Sequence, residues 1–176
     1  MSLLSYDPDL SETEILEELS LWGRSLSQAY LASARSALEK LVGRQNLLAP
    51  YQLERRKGGY ARTLLFNDGG MSVYAIVWSP FCETSIHDHH CSCCFGILKG
   101  SLEEIWFRPI GESQVVVAER AIRPPEYIAC MLPSNSKIHQ MRNSSSEEAI
   151  SIHIYGFDHN MHGSSILREY KLASGV

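Results

Sequence analysis

The segment Ser85-Ile86-His87-Asp88-His89-His90-Cys91-Ser92-Cys93-Cys94 holds two histidines that are separated by a single residue. Side chains alternate between the two faces of a β-strand, so His87 and His89 would share one face. Two imidazoles on one face can bind the same metal ion at about 2.0–2.1 Å. Residues 73–78 and 95–98 are rich in β-branched and aromatic residues, which favours strands on both sides. The pattern therefore predicts a metal site within a β-sheet.

The composition is that of an ordinary soluble domain. Of the 176 residues, 44% are hydrophobic and 20% are charged. The net charge of −4, without basic runs, argues against nucleic acid as a partner. No apolar run approaches the roughly 18–20 residues of a membrane span, and no signal-peptide pattern opens the chain. The five cysteines, an odd number, are either reduced thiols without a special role or include some that lie beside a metal or react. In both cases we expect a cytoplasmic protein without a membrane partner.

The hydrophobic periodicity changes near residue 60. Ser11 and Glu14 form a capping box that predicts the start of one helix, and a second helix is predicted from near Ser25 to near Gly43. The later part consists of short strand-like runs separated by turn residues, which favours an antiparallel barrel or double-sheet jelly roll. The predicted strands cover residues 60–66, 71–78, 86–98, 102–107, 114–122, 126–132 and 150–155.

The run at residues 150–155 has two chemically different faces. Ser151, His153 and Tyr155 share one face, and three isoleucines share the other. Polar residues in register indicate either a polar cavity inside the barrel or a solvated outer face. This strand alone leaves both readings open.

Two separated motifs resemble the metal-binding motifs of the cupin family. One is the pair His87 and His89, and the other is His139 with Asn143 four positions later. Where most cupins have a glutamate ligand this chain has Cys94, a departure that is similar to the thiol dioxygenases. The resemblance implies a mainly β fold, a cupin-type antiparallel β-barrel (jelly roll) with N-terminal α-helices. The expected organisation is a single domain over residues 1–176, with a helical cap at 1–50 and the barrel carrying the iron site at 60–160.

Further motifs resemble cysteine dioxygenase in particular. Tyr60-Ala61-Arg62 is similar to the family's Tyr-x-Arg, whose arginine receives the substrate carboxylate. Residues 98–104 follow the family's Leu-x-Gly-x-Leu-x-Glu pattern, and residues 151–155 resemble its Ser-x-His-x-Tyr. The tyrosine of that last motif can be joined to a cysteine by a thioether bond. Two adjacent thiols, Cys93 and Cys94, compete for this role, and the spacing from the histidines favours Cys94.

The resemblance implies oxidation of L-cysteine by O2 to cysteine sulfinate. Three neutral imidazoles would leave Fe(II) with its full 2+ charge, which favours a substrate bound as thiolate. The alternatives are a dioxygenase for another small thiol, such as 3-mercaptopropionate, and a non-catalytic metal-binding cupin. We expect a monomer, because no amphipathic stripe is left over once the core is assigned. The implied residues are His87, His89 and His139 as ligands of Fe(II), Arg62 and Tyr60 as substrate-binding residues, and Tyr155, His153, Ser151 and Cys94 as catalytic residues.

Overall fold

A computed structural model describes residues 11–44, 46–134 and 136–173, which form one helix and ten strands in two five-stranded sheets. The mainly β fold with an N-terminal helical segment is thereby confirmed, and the first ten residues of the predicted helical cap lie outside the described residues. The strands are β1 (Tyr60–Asn67), β2 (Ser72–Trp78), β3 (Ile86–His89), β4 (Cys93–Lys99), β5 (Leu102–Pro109), β6 (Gln114–Arg123), β7 (Ile128–Met131), β8 (Ile138–Arg142), β9 (Ala149–Tyr155) and β10 (Ile166–Leu172).

The helix, α1, runs without a break from Glu12 to Val42. Its start is as predicted, since the Ser11 hydroxyl accepts from Glu14 N at 3.3 Å and the Glu14 carboxylate accepts from Ser11 N at 2.8 Å. Its end at Gly43 is also confirmed. The prediction of two helices is wrong, because Gly23 continues the helix. One glycine costs a helix only about 1 kcal/mol relative to alanine, which is too little to end it.

Only the C-terminal half of α1 packs against the barrel, through the buried residues Ala34, Leu38 and Val42. The N-terminal half leaves a row of large apolar side chains in solvent. The absence of a leftover apolar stripe, on which the expectation of a monomer was based, is therefore wrong, while the oligomeric state itself stays a prediction. The helix is also not apolar enough to cross a membrane. The exposed row consists of Ile15, Leu16, Leu19, Trp22 and Leu26.

The first sheet has the order β1-β2-β9-β4-β7, and every neighbouring pair in it is antiparallel. Strands β2 and β9 are buried along their whole length because one face meets α1 and the other meets the second sheet. The single strand predicted over residues 86–98 is wrong. The chain leaves β3 in the second sheet, turns at residues 90–92 and enters β4 in the first sheet.

The second sheet has the order β10-β3-β8-β5-β6 and closes on itself. The closure pairs β10 with β6 in parallel, the only parallel pair among the described strands. Asp88, on the face of β3 opposite to the neighbouring histidines, accepts hydrogen bonds from Arg168 N and the Tyr170 hydroxyl, both at 2.8 Å. This buried carboxylate anchors β10 to β3. The sequence reading did not assign β8 or β10 as strands.

Candidate metal centre

The three predicted metal ligands meet in the space between the two sheets. His87 and His89 lie on β3, and His139 lies on β8 directly opposite His87 in the strand register. All three side chains are buried, and one ring nitrogen from each lies within 4.8 Å of the others. The alternation of side chains along β3 places both of its histidines on this face, as the sequence pattern predicts. The result is a buried three-histidine group that can hold a metal ion.

Hydrogen bonds orient two of the rings for metal binding. His87 Nδ1 lies 2.9 Å from the carbonyl of Ser85, and His139 Nδ1 lies 3.1 Å from Glu104 Oε1. Both acceptors require a proton on Nδ1, so each ring is left with an Nε2 lone pair directed inward. His89 Nε2 and His139 Nε2 are only 3.0 Å apart. His89 Nδ1 is buried, and no described residue gives it a hydrogen bond of normal geometry. Ring nitrogens whose lone pairs point into the same small space fit a bound cation.

Glu104 is a buried carboxylate that connects the histidines to an arginine. Its second oxygen accepts from Arg123 Nε at 2.8 Å, and its side chain is 1% exposed. Burial alone would raise the pKa of Glu104, but hydrogen bonds and charges from His139 and Arg123 hold that pKa below its usual value. The carboxylate therefore stays ionised, so it can fix the tautomer of His139 and increase the basicity of its Nε2.

The imidazoles of His87 and His89 are neutral at ordinary pH. Burial, followed by repulsion from a charged His139, lowers the pKa of His87 to about 4 and that of His89 to about 2. A histidine binds a metal only through an unprotonated nitrogen. His87 and His89 therefore need no deprotonation before they bind an ion near neutral pH.

A hydrogen-bonded chain of side chains reaches the same cavity from the first sheet. Trp78 Nε1 donates to Ser151 Oγ at 2.8 Å, Ser151 Oγ lies 2.8 Å from His153 Nε2, and His153 Nδ1 lies 3.1 Å from the Tyr155 hydroxyl. Burial lowers the pKa of His153 to about 3, so its ring is neutral. The outer-face reading of this strand is wrong, because Ser151, His153 and Tyr155 all lie between the sheets.

The direction of this chain follows from its first donor. An indole N–H can only donate. If the Ser151 hydroxyl donates onward to His153 Nε2, the His153 Nδ1–H donates to the Tyr155 oxygen, and the protons of Trp78, Ser151 and His153 all have acceptors. In the opposite tautomer the buried Ser151 hydroxyl proton has no acceptor among the described residues, at a cost of about 1–3 kcal/mol. The favoured arrangement leaves the phenolic hydrogen of Tyr155 free to donate into the cavity.

Arg62 and Tyr60 lie at the mouth of the cavity on β1. The Arg62 side chain is exposed to solvent, and its Nη2 donates to the carbonyl of Gly163 at 2.8 Å. Tyr60 packs against Trp78 with the ring centroids 5.1 Å apart. The connection to Gly163 holds the guanidinium beside the opening while its other N–H groups remain available to an anion.

The prediction that Cys94 belongs to the site is wrong. Cys94 packs on the α1 side of the first sheet, whereas Cys93 faces the cavity and lies opposite Tyr155 in the strand register. The turn at residues 90–92 breaks the alternation that starts at His89, so counting from the histidines gives the wrong face. Counting along β4 itself gives the right one, since Cys93 shares its inward face with the buried Phe95.

The cavity between the sheets is partly open to solvent. Most of the predicted site residues line it, but Cys94 and Ser151 do not. Sequence reasoning assigned no role to Glu104, Arg123 or Trp78. The signal for Glu104 was present, because a charged residue at an inward position of β5 needs a buried partner. The predicted residues that line the cavity are Tyr60, Arg62, His87, His89, His139, His153 and Tyr155.

Solved structures that are similar to this chain share little of its sequence. The KdgF structure from a Halomonas species has 9% identity and a TM-score of 0.50, and the match covers 65% of this chain and 94% of that one. A double-stranded β-helix protein from Klebsiella pneumoniae has 18% identity and a TM-score of 0.48, over 60% and 84% of the chains. The cupin domain of Schizosaccharomyces pombe Cnp3 has 13% identity and a TM-score of 0.48, over 65% and 74%.

The two-sheet barrel with a histidine cluster between its sheets defines the class as the cupin superfamily. The family description of cysteine dioxygenase type I matches residues 51–160, which is more than half of the 176 residues. The chain belongs to this family.

Proposed function

We propose that the protein is a non-haem Fe(II)-dependent dioxygenase that oxidises L-cysteine with O2 to cysteine sulfinate. One observation carries the proposal: the buried three-histidine group shares a cavity with Arg62 and with the hydroxyl of Tyr155. One cavity therefore contains separate protein groups for the substrate thiol, for the substrate carboxylate and for the oxidant. The family match supports the same reaction class.

We assign His87, His89 and His139 as the ligands of Fe(II). Imidazole nitrogens suit iron, and three protein ligands would leave the ion able to accept substrate as well. When bound, Fe(II) would supply the positive charge that ionises the substrate thiol and the redox chemistry with dioxygen. The protein's own contribution at this point is Glu104, which keeps the proton of His139 on Nδ1 so that Nε2 remains a ligand.

Arg62 would bind the substrate carboxylate. A guanidinium gives a carboxylate two parallel charge-assisted hydrogen bonds, and the Gly163 carbonyl already fixes the side chain at the cavity mouth. Tyr60, beside it on β1, would restrict the width of the opening. A substrate held in this way has its thiol directed inward, towards the histidines.

Tyr155 would donate its phenolic hydrogen to the reacting atoms. Burial raises the pKa of Tyr155 well above its usual value, so the group remains a protonated donor throughout. The chain from Trp78 through Ser151 and His153 fixes the rotamer of the phenol and occupies its oxygen as an acceptor. These three residues act by positioning Tyr155.

We further propose that the thioether partner of Tyr155 is Cys93. The two residues lie opposite each other on β4 and β9, on the same inward face. Forming the C–S bond removes the thiol hydrogen of Cys93 and one ring hydrogen of Tyr155, and O2 would take up both hydrogens as hydrogen peroxide. A cysteine catabolic role in the cytoplasm, with L-cysteine and O2 as the only partners of a monomer, completes the proposal.

The test is oxygen uptake by protein loaded anaerobically with Fe(II). Sulfinate formed from cysteine, in proportion to bound iron, is the expected result. Sulfinate formed only from 3-mercaptopropionate would reverse the substrate assignment. No oxygen uptake with any thiol, while iron stays bound, would show a non-catalytic metal-binding cupin. His139→Ala should lose the iron, and the matched variant His162→Ala, at an exposed histidine, should keep it.

A further inference from the structure

Two cysteines outside the cavity lie directly opposite each other on neighbouring strands. Cys94 of β4 is paired with Cys130 of β7. Ile97 N donates to the carbonyl of Tyr127 at 3.0 Å, which marks a hydrogen-bonded pair on the same ladder. Such pairs alternate with non-hydrogen-bonded ones along a ladder. Cys94 lies three positions before Ile97, and Cys130 lies three positions after Tyr127, so the two cysteines form a non-hydrogen-bonded pair. These pairs have Cα atoms about 4.5 Å apart, and a disulfide spans about 4.4–6.8 Å.

The surroundings of the two thiols differ in a way that suits stepwise oxidation. Both side chains lie on the α1 side of the first sheet, near Leu38. Cys94 is fully buried, whereas Cys130 is partly exposed. A hydrogen bond from Cys94, together with the positive charge of Arg35, lowers the pKa of Cys130, while the same hydrogen bond raises that of Cys94. Cys130 is thus the accessible nucleophile, and Cys94 is held against it as the resolving thiol.

We propose that Cys94 and Cys130 form a reversible disulfide by exchange with the disulfide of a small thiol. The Cys130 thiolate attacks one sulfur of the small disulfide, forms a mixed disulfide and releases one small thiolate. Cys94 then gives up its proton, and its sulfur attacks the sulfur of Cys130 and expels the second small thiolate. Two protein thiols are oxidised, one small disulfide is reduced to two thiols, and the two protein-derived protons end on those products.

The other three cysteines are poor competitors for this reaction. Cys82, Cys91 and Cys93 all lie in the core between the sheets. Burial raises the pKa of Cys91 to about 11 and also raises that of Cys82. Cys93 is wholly buried, with a pKa well above its usual value. A small disulfide therefore has one accessible sulfur on the described surface to react with, and that sulfur has one partner across the ladder.

The test incubates the full-length protein with oxidised glutathione under anaerobic conditions, followed by alkylation and peptide mapping. The number of alkylated cysteines should fall by two, a peptide pair linked through Cys94 and Cys130 should appear, and dithiothreitol should reverse both changes. Cys130→Ser should abolish the reaction. Cys94→Ala, which suits the apolar surroundings, should stop at a mixed disulfide on Cys130. The matched control Cys82→Ala should behave like the wild type.

Several results would overturn the proposal. They are an unchanged thiol count, a wild-type protein that accumulates only the mixed disulfide, and a link that involves Cys91 or Cys93. All of these readouts report thiol chemistry and not turnover. A failure here would therefore leave the dioxygenase proposal untouched, and a failure of that proposal would leave this one untouched.

Discussion

Replacing Glu104 by glutamine should separate metal affinity from folding. Glutamine has nearly the same shape, but one of its two terminal atoms becomes an N–H donor. If the amide oxygen of the glutamine faces His139, its amide nitrogen faces the N–H of Arg123, and two donors then oppose each other. If the amide is flipped, its nitrogen faces His139 Nδ1 and favours the tautomer with a proton on Nε2, which cannot bind a metal.

The hydrogen bond that is lost in Glu104→Gln should be the one to His139 rather than the one to Arg123. The Arg123 side chain is 18% exposed and stacks on Tyr127 at 4.5 Å, so it can turn towards water. The His139 side chain is 3% exposed and cannot. Loss of such a partner behind a ligating histidine weakens metal binding by about 10–100-fold, or about 1.4–2.7 kcal/mol.

The assay is a competition titration of Fe(II) or Co(II) against a chelator, with thermal unfolding of the metal-free protein in parallel. Glu103→Gln is the matched control. The carboxylate of Glu103, the residue before Glu104, pairs with the half-exposed Arg120 at 3.2 Å. Loss of a surface pair costs about 0–1 kcal/mol and should leave metal affinity unchanged. Wild-type affinity in Glu104→Gln, with the fold intact, would refute the role assigned to the carboxylate.

Three further predictions concern the cavity. Arg62→Ala should raise KM for cysteine by about 10–150-fold, because a charge-assisted hydrogen bond is worth about 1.5–3 kcal/mol; an unchanged KM in steady-state kinetics would exclude carboxylate binding. Cys93→Ser should abolish any loss of two hydrogens in the intact mass measured after turnover and reduction with dithiothreitol, whereas Cys94→Ala should retain it; the reverse pattern would restore Cys94 as the partner of the tyrosine. Metal-free protein should lose stability as pH falls from about 6.5 towards 4, because burial lowers the pKa of His87 to about 4 and that of His153 to about 3. The unfolded chain then binds more protons than the folded one, and a flat stability profile in urea titrations would contradict this.

The sequence predicts the centre of the site better than its surroundings. Two histidines on one strand need only the period of two, which holds along β3. The prediction for Cys94 fails because the chain changes sheet between His89 and Cys93. The alternation of side chains along β3 does not predict which face a residue occupies beyond such a turn. The unbroken helix through Gly23 was missed because glycine punctuates a sequence more often than it ends a helix.

The contacts of Glu104 could not be predicted in the same way. Its partners His139 and Arg123 come from strands that are far apart in the chain, and only the pairing of β5 with both β6 and β8 brings them together. Trp78 likewise meets Ser151 only because β2 pairs with β9. Residue types and spacing indicate a metal site, but the hydrogen-bond network around it depends on which strands become neighbours.

The division of labour between the two layers has a mechanical consequence. All three histidines belong to one layer, whereas Arg62 and Tyr155 belong to the other. A metal ion alone would stabilise only the layer that carries the histidines. A small molecule bound through its sulfur at one end and through its carboxylate at the other would connect the two layers. Amide hydrogen exchange along β1 should therefore slow when that molecule binds, and should not slow when the ion binds alone.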